Sequence, residues 1–249
     1  MKRYRWLLGC CLFLSIGMLW AADEPDLRML QQKAAQSRDM EGYVGVCKYL
    51  YQTEENPELL LLYADSIHQL ATKSKKPEQL VEYYIWASEG NFIKGDFQQG
   101  YALKRKAIAL AEKAGLKFAI SQSCCDMGYY CNVDARYDSA RYYFRKGLEA
   151  GEDLSEAGEA CRTMLTNYAS SFLFEGKTDS ALVYTIRASE RSAADKDTVM
   201  LIENLNQLGT SYRRKKDLEN CIANFEQALH LCELRGNHNA VAFIYGNIA

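Results

Sequence analysis

The chain has 249 residues, 48% of them apolar, and a formal net charge of −2. This length and apolar share are sufficient for a buried core, in one domain or in two. Acidic and basic residues nearly balance and no stripe of Lys and Arg dominates, which argues against nucleic-acid binding by this segment.

The N-terminus has the composition of a secretory signal peptide. Basic residues within positions 2–5 precede an uncharged apolar stretch over 6–20, and Ala21 and Ala22 supply small residues for cleavage. The pattern predicts cleaved export to the periplasm or the cell envelope. An uncleaved membrane anchor is one alternative, although the apolar stretch is shorter than the about 20 residues that span a bilayer. A lipoprotein is the other, since residues 7–10 resemble a lipobox, although one placed very early.

Cleavage at this point defines a start for the mature chain. We expect N-terminal sequencing of the protein from an envelope fraction to begin within a few residues of Asp23, because cleavage follows small residues. Recovery of the chain from the cytosol with Met1 intact would contradict export and favour an intracellular adaptor.

The rest of the chain is compatible with helix almost throughout. Its only prolines are Pro25, Pro57 and Pro77, so nothing after them forbids a helix. No run alternates apolar and polar residues with period two, as a half-buried strand would. The sequence therefore predicts an all-α fold.

Three columns of mostly small residues recur along the chain at intervals of 40, 41 and 40. Columns that keep one period indicate a supersecondary unit that has been copied and stacked. Stacked units of this length form a solenoid, and solenoids generally provide binding surfaces. The columns are Gly100, Ala140, Ala181 and Cys221; Gly95, Ala135, Gly176 and Lys216; and Ser88, Gly128, Ala169 and Gly209.

Each copy is predicted to be a pair of amphipathic helices. In the copy over 202–241, apolar residues recur at steps of three and four on both sides of a short turn. Gly209 and Cys221 are small because the two helices must approach closely there. Tyr212 and Phe225 are expected to fill the space beside the crossing.

These residues resemble the tetratricopeptide repeat (TPR), which has Leu-Gly and an aromatic residue on its first helix, then Ala, an aromatic residue and Ala on its second. The copy over 202–241 matches at all but one position, where Cys221 stands for Ala. The resemblance is strong over 81–249 and weak over 41–80. It implies a right-handed α-solenoid of antiparallel helix pairs, a TPR-like superhelix. The period of 40 exceeds the family's usual spacing of about 34 residues, as in long-helix bacterial variants.

The predicted organisation follows this period. Residues 1–22 form the signal peptide, and the next segment, 23–80, contains N-terminal helices with one degenerate repeat. Because the last copy stops within its first helix, we expect the natural gene product to continue beyond Ala249. The TPR-like repeats over 81–249 are divided into 81–120, 121–161, 162–201, 202–241 and a partial copy over 242–249.

Residue types that carry catalysis or bind metals are present but are not arranged for either task. Seven cysteines follow the predicted signal peptide with no Cys-x-x-Cys pair, and they are interpreted as small packing residues with free thiols. His68, His230 and His238 are not spaced i, i+4 and join no metalloprotease motif. No Gly-x-Ser-x-Gly motif or phosphate-binding loop occurs. The sequence thus predicts no enzyme, no cofactor and no metal.

The resemblance to TPR proteins implies that the first helix of each copy lines a concave binding face. The side of each first helix that turns away from its partner mixes aromatic and basic residues with short polar ones, which suits an extended peptide or a partner helix. The predicted partner-binding residues are Tyr129, Asn132, Thr166, Ser170, Asn206, Thr210, Arg213 and Arg214.

The function predicted from these features is a non-catalytic scaffold that binds a protein or peptide. Its expected context is the extracytoplasmic ligand-sensing part of a longer membrane-anchored regulator, which the layout resembles. A free-standing periplasmic or envelope assembly adaptor is the alternative, and a hydrolase carried by an absent domain is a third possibility. Membrane attachment is expected only through an absent C-terminal segment or an uncleaved signal.

Overall fold

The computed structural model describes residues 26–54 and 56–248, so the predicted signal peptide over 1–22 lies outside the described residues. The described part folds into twelve α-helices and one 3-10 turn, Ser155–Ala157, with no strand. The helices are α1 Leu27–Ser37, α2 Met40–Thr53, α3 Pro57–Ser74, α4 Pro77–Lys94, α5 Phe97–Ala114, α6 Lys117–Val133, α7 Tyr137–Gly151, α8 Gly158–Phe174, α9 Thr178–Ala194, α10 Thr198–Arg214, α11 Leu218–Leu234 and α12 His238–Ile248.

Consecutive helices pack against each other, which confirms the prediction of an all-α fold built from helix pairs. The chain divides into two compact units, an N-terminal unit of residues 26–127 and a C-terminal unit of residues 128–248. In the C-terminal unit, α8 also contacts α10, so the first helices of neighbouring pairs touch. Within the described ranges, no helix has the length and apolar character needed to cross a bilayer.

One of the repeating columns marks the turn inside each helix pair. Gly95, Ala135, Gly176 and Lys216 all have a positive φ, of 92°, 56°, 77° and 61°. A residue in this left-handed conformation ends the first helix and redirects the chain into the second. Glycine adopts it without strain, which explains two of the four residues in the column.

A second column lies beneath an aromatic ring of the partner helix. A Cβ atom added to Gly128 would lie 2.3 Å from the Phe144 ring, and one added to Gly209 would lie 2.7 Å from the Phe225 ring. Phe144 and Phe225 are 0% and 1% exposed. A small residue is therefore required at Gly209 because a buried ring packs against the glycine.

The other two helix pairs have no phenylalanine at this position, which follows the small residue by sixteen. In the pair that contains Ala169 the residue is Thr185, and its hydroxyl donates to the Ala181 carbonyl at 2.8 Å. An aromatic stack of Tyr168 and Tyr184, with ring centroids 4.3 Å apart, supplies bulk in that pair. In the N-terminal unit the corresponding residue is a lysine, Lys104.

All seven cysteines in the described part are buried and none is assigned to a disulfide, which confirms the prediction that they are packing residues and not a disulfide framework. Burial, with a smaller contribution from the charge of Glu82, raises the pKa of Cys47 to about 12. This thiol is therefore uncharged at neutral pH, and an uncharged thiol is a poor nucleophile.

Candidate functional site

The structure divides the predicted binding residues by exposure. Those with accessible side chains in the C-terminal unit are Tyr129, Asn206 and Thr210, which are partly exposed, and Arg213 and Arg214, which are exposed. The other three are buried: Asn132 is 3%, Thr166 1% and Ser170 8% exposed.

The three buried side chains join neighbouring first helices. Asn132 Nδ2 donates to the Asn167 carbonyl at 2.9 Å, which ties α6 to α8. Thr166 Oγ1 lies 2.8 Å from Asn204 Oδ1, which ties α8 to α10. Because Thr166 and Asn132 are almost fully enclosed, the structure corrects their predicted role as direct partner contacts: they hold the helices that carry the accessible residues.

Ser170 joins the same helices one turn further along. Gln207 Nε2 donates to Ser170 Oγ at 2.9 Å, and Ser170 Oγ donates in turn to the Thr166 carbonyl at 3.1 Å. Asn247 Nδ2 continues the series by donating to Asn206 Oδ1 at 2.8 Å, which ties α12 to α10. We call this set the polar seam: Asn132, Thr166, Asn167, Ser170, Asn204, Asn206, Gln207 and Asn247.

Two carboxamide oxygens of the polar seam are buried without a hydrogen-bond donor, Asn132 Oδ1 and Gln207 Oε1. Rotating either carboxamide by 180°, which exchanges its oxygen and nitrogen, would not improve its hydrogen bonds. Asn132 must present its NH₂ group to a carbonyl, and the hydroxyl hydrogen of Ser170 is already used, so Ser170 must accept from Gln207. A buried acceptor left unpaired costs about 1–3 kcal/mol, so the two oxygens lower the stability of the unit.

The two arginines of the site are held by main-chain carbonyls. Arg213 Nη1 donates to the Asn247 carbonyl on α12, and Arg214 Nη1 donates to the Leu173 carbonyl on α8 at 2.6 Å. A guanidinium group has five N–H donors, so each arginine keeps donors for a ligand. The accessible residues therefore include two positive charges on α10 and, on α6, a partly exposed aromatic ring, Tyr129.

Sequence reasoning missed Asn167, Gln207 and Asn247, although a signal for them exists. They recur at intervals of 40, and Asp126 precedes the first of them by 41. This fourth column is polar, whereas the three columns used for the prediction were chosen for small size. Its members lie two residues before the small residues on each first helix.

The N-terminal unit carries a buried ion triad at the corresponding positions. Lys104 Nζ contacts Glu89 and lies 2.9 Å from Asp126 Oδ2. The side chains of Lys104, Glu89 and Asp126 are 0%, 3% and 24% exposed. Burial acts to lower the pKa of Lys104, but the charges of Asp126 and Glu89 and their hydrogen bonds outweigh it, so the pKa lies above its ordinary value and the lysine remains charged.

The repeat register explains why the triad needs a lysine. Glu89 and Asp126 occupy the positions that Ser170 and Gln207 occupy in the C-terminal unit, where the two side chains hydrogen-bond directly. Two carboxylates in those positions repel each other, and Lys104 supplies the cation between them. Sequence reasoning missed this triad because the two carboxylates and the lysine lie on three different helices.

Known proteins resemble this chain in fold. No protein-family model matches it, and no curated protein matches its sequence. BtubC of P. vanneervenii is 12% identical over 95% of this chain and 93% of its own, with a TM-score of 0.68. The apo form of RapI is 9% identical over 99% and 70%, with a TM-score of 0.67. PlcR of Bacillus thuringiensis, solved with the peptide PapR7 and DNA, is 14% identical over 98% and 96%, with a TM-score of 0.54. With its paired helices and 40-residue period, the chain has a TPR-like helical-repeat fold.

Proposed function

We propose that the protein is a non-catalytic scaffold that binds a protein or peptide along the first helices of its C-terminal unit. The observation that carries the proposal is the set of first-helix side chains that stay accessible in the C-terminal unit, Tyr129, Asn206, Thr210, Arg213 and Arg214. The buried side chains Asn132, Thr166 and Ser170 tie the helices that carry them. Such a surface offers acceptors and donors to a ligand but no arranged nucleophile or acid–base pair.

An extended peptide matches the hydrogen-bonding groups of these accessible side chains. Its main chain presents one N–H and one C=O group at each residue, so it can donate to the Thr210 hydroxyl and accept from the arginines. PlcR, which has a similar fold, was solved with a bound peptide, and this supports the choice of a peptide ligand. A partner helix satisfies its own main-chain groups internally and offers only side chains to this surface.

We further propose that the chain is the extracytoplasmic ligand-sensing repeat domain of a longer regulator, exported to the periplasm or cell envelope. A free-standing envelope adaptor is the second candidate, and a hydrolase with its catalytic domain elsewhere is the third. Reading the gene beyond the codon for Ala249 separates them. An apolar segment with an output domain favours the regulator, a polar capping helix and stop codon favours the adaptor, and a catalytic domain favours the hydrolase.

Substitutions on the first helices are expected to weaken ligand capture. We expect Tyr129→Ala and Arg213→Glu each to weaken binding by about 1 kcal/mol or more, because aromatic and arginine side chains carry much of the free energy of protein interfaces. Binding is measured by fluorescence anisotropy with peptides selected on the protein from a random phage-displayed library. Circular dichroism and thermal melting should remain unchanged, since both side chains are at least partly exposed.

The matched controls are exposed charges on second helices of the same unit. Arg145→Glu on α7 and Glu226→Lys on α11 reverse one charge each and should leave binding intact. Loss of binding in these two variants, with binding preserved in the first-helix variants, would move the binding surface to the second helices and refute the proposal.

A further inference from the structure

The second helices of the C-terminal unit expose apolar side chains at one repeat position. This position is Tyr142 on α7, Val183 on α9 and Ala223 on α11, at the repeat intervals of 41 and 40. Tyr142 and Val183 are 49% and 57% exposed, and Ala223 is also exposed. Since equivalent positions of stacked helix pairs line up, the three side chains form one row across the unit.

A second exposed row lies three residues further along the same helices, and its charge changes from one side of the unit to the other. Its members are Arg145 on α7, Ile186 on α9 and Glu226 on α11. Ile186 is 38% exposed, and the two charged residues are exposed. Neither Arg145 nor Glu226 forms an ion pair in the described part of the chain. The row therefore runs from an available cation through an apolar centre to an available anion.

This surface is complementary to itself under a two-fold rotation about an axis parallel to α9. The rotation sets α9 against the α9 of a second copy and α7 against the α11 of that copy, and it keeps each residue at its level along the helices. Arg145 of each copy then faces Glu226 of the other. A two-fold axis across the helices would set Arg145 against Arg145, so the charges match only the parallel axis.

The same rotation brings the apolar side chains together at the centre of the contact. Val183 and Ile186 meet the same residues of the second copy. Tyr142, the largest side chain of the first row, lies opposite Ala223, the smallest, and such alternation of large and small side chains allows close packing. Single exposed apolar side chains are common on proteins, whereas these occupy adjoining positions inside a charge-complementary border.

Charged residues further along the helices agree with this pairing. Arg187 and Glu190 of α9 are exposed and three positions apart. Arg187 lies over the Tyr184 ring, 6.0 Å from its centroid, and between parallel helices it lies one turn from Glu190 of the second copy. At the level of Glu190, the exposed Glu149 on α7 faces the exposed His230 of α11 in the second copy.

The contact ends at the beginnings of the helices. The row there is acidic on all three helices, with Asp138, Asp179 and Glu219. Asp138 and Asp179 are bonded within their own chain, to Arg141 and Lys215. Like charges at this level would repel each other, so this row marks the border of the surface.

We propose that the protein forms a two-fold symmetric dimer through the second helices α7, α9 and α11 of its C-terminal unit. α9 meets α9 at the centre, and α7 of each copy meets α11 of the other on both sides. Such a contact uses the same surface on both copies and therefore closes at two. The inference goes beyond the proposed function and is independent of it, because the ligand is assigned to the first helices.

Substitutions in both rows test the dimer by sedimentation equilibrium of the full chain at low salt over a range of concentrations. Arg145→Glu sets two carboxylates against each other on both sides of the dimer, and Glu226→Arg sets two guanidinium groups against each other. We expect each variant to raise the dissociation constant of the dimer about 10-fold or more. Val183→Asp should do the same, since it brings two carboxylates together in an apolar centre.

The matched control is Arg105→Glu. Arg105 is exposed and occupies the repeat position of Arg145, but it lies in the N-terminal unit, outside the proposed surface. Its reversal should leave the dissociation constant unchanged. Thermal melting of each variant shows whether it folds, and all the substituted side chains are exposed.

Mixing the two charge-reversal variants tests the pairing itself. In a dimer with one copy of Arg145→Glu and one of Glu226→Arg, the two reversed charges face each other on one side and the two original charges on the other. Both sides are then attractive again. We expect an equimolar mixture to recover most of the parent affinity, as should the double variant Arg145→Glu with Glu226→Arg.

Two results would overturn this inference. A parent chain that stays monomeric at every concentration would leave the surface to a different partner. A dimer that persists in both charge-reversal variants, or that the mixture fails to restore, would have its interface elsewhere. Neither result affects the proposed peptide binding, which is measured with substitutions on the first helices.

Discussion

Replacing Lys104 with Met is expected to lower the free energy of unfolding by about 3–5 kcal/mol, because removing one partner from a buried ion pair leaves an uncompensated charge in the core. Lys104 is fully buried between Glu89 and Asp126. Since its folded-state pKa is raised above its ordinary value of 10.5, this stabilisation is fully present at neutral pH. It is lost only as the pH rises through the folded-state value. Urea unfolding at pH 7 measures the effect.

The matched control is Arg105→Met, which changes an exposed neighbouring cation in the same way. Surface substitutions of this kind stay within about 0.5 kcal/mol of the parent protein. An equal, small change in both variants would show that Lys104 is not held between two charged carboxylates.

A variant with four substitutions tests whether Lys104 is needed because Glu89 and Asp126 place two carboxylates next to each other. The positions of Ser88, Glu89, Lys104 and Asp126 correspond to Ala169, Ser170, Thr185 and Gln207 in the C-terminal unit. The variant Ser88→Ala, Glu89→Ser, Lys104→Thr and Asp126→Gln should therefore recover most of the stability lost in Lys104→Met, since uncharged replacements of buried ion networks are often neutral or stabilising. Failure to recover would mean that the two units fill this position by unrelated packing.

The fold could be predicted from the sequence because its repeating positions are fixed by simple sterics. Gly95 and Gly176 recur because each helix pair turns through a left-handed residue. Gly128 and Gly209 recur because a buried ring lies against them. Constraints of this kind act on one position at a time, so one sequence with internal repeats is enough to reveal them.

The candidate site was predicted only in part because it depends on pairs of residues. Periodicity placed Thr166 and Ser170 on one face of their helix, but it could not tell a surface side chain from one enclosed by the next first helix. The choice between these states depends on the partner, here Asn204 or Gln207, which lies nearly one period away. Arg213 and Arg214 are accessible because they end their helix, beyond the enclosed part of the seam, and their role in binding stays a prediction.

The close contact between Gly209 and Phe225 gives the second large expected effect. Gly209→Leu should lower the free energy of unfolding by about 1–3 kcal/mol or more, because the added side chain overpacks a site where even a Cβ atom would lie 2.7 Å from the ring. Lys215→Ala, at an exposed residue of the same unit, should stay within about 0.5 kcal/mol. Urea unfolding monitored by circular dichroism provides both values.

Whether Gly209→Ala raises or lowers the free energy of unfolding should depend on the residue at position 225, which faces Gly209. With Phe225 present, Gly209→Ala should destabilise the protein, because the new Cβ atom meets a ring that cannot move aside in a buried site. In a Phe225→Thr background, which copies the Ala169 and Thr185 pair, the same change should stabilise by up to about 1 kcal/mol, since alanine favours helix over glycine. A change of the same sign and size in both backgrounds would show that the ring does not select the glycine. The small-residue column would then have to reflect contact between the helix backbones themselves.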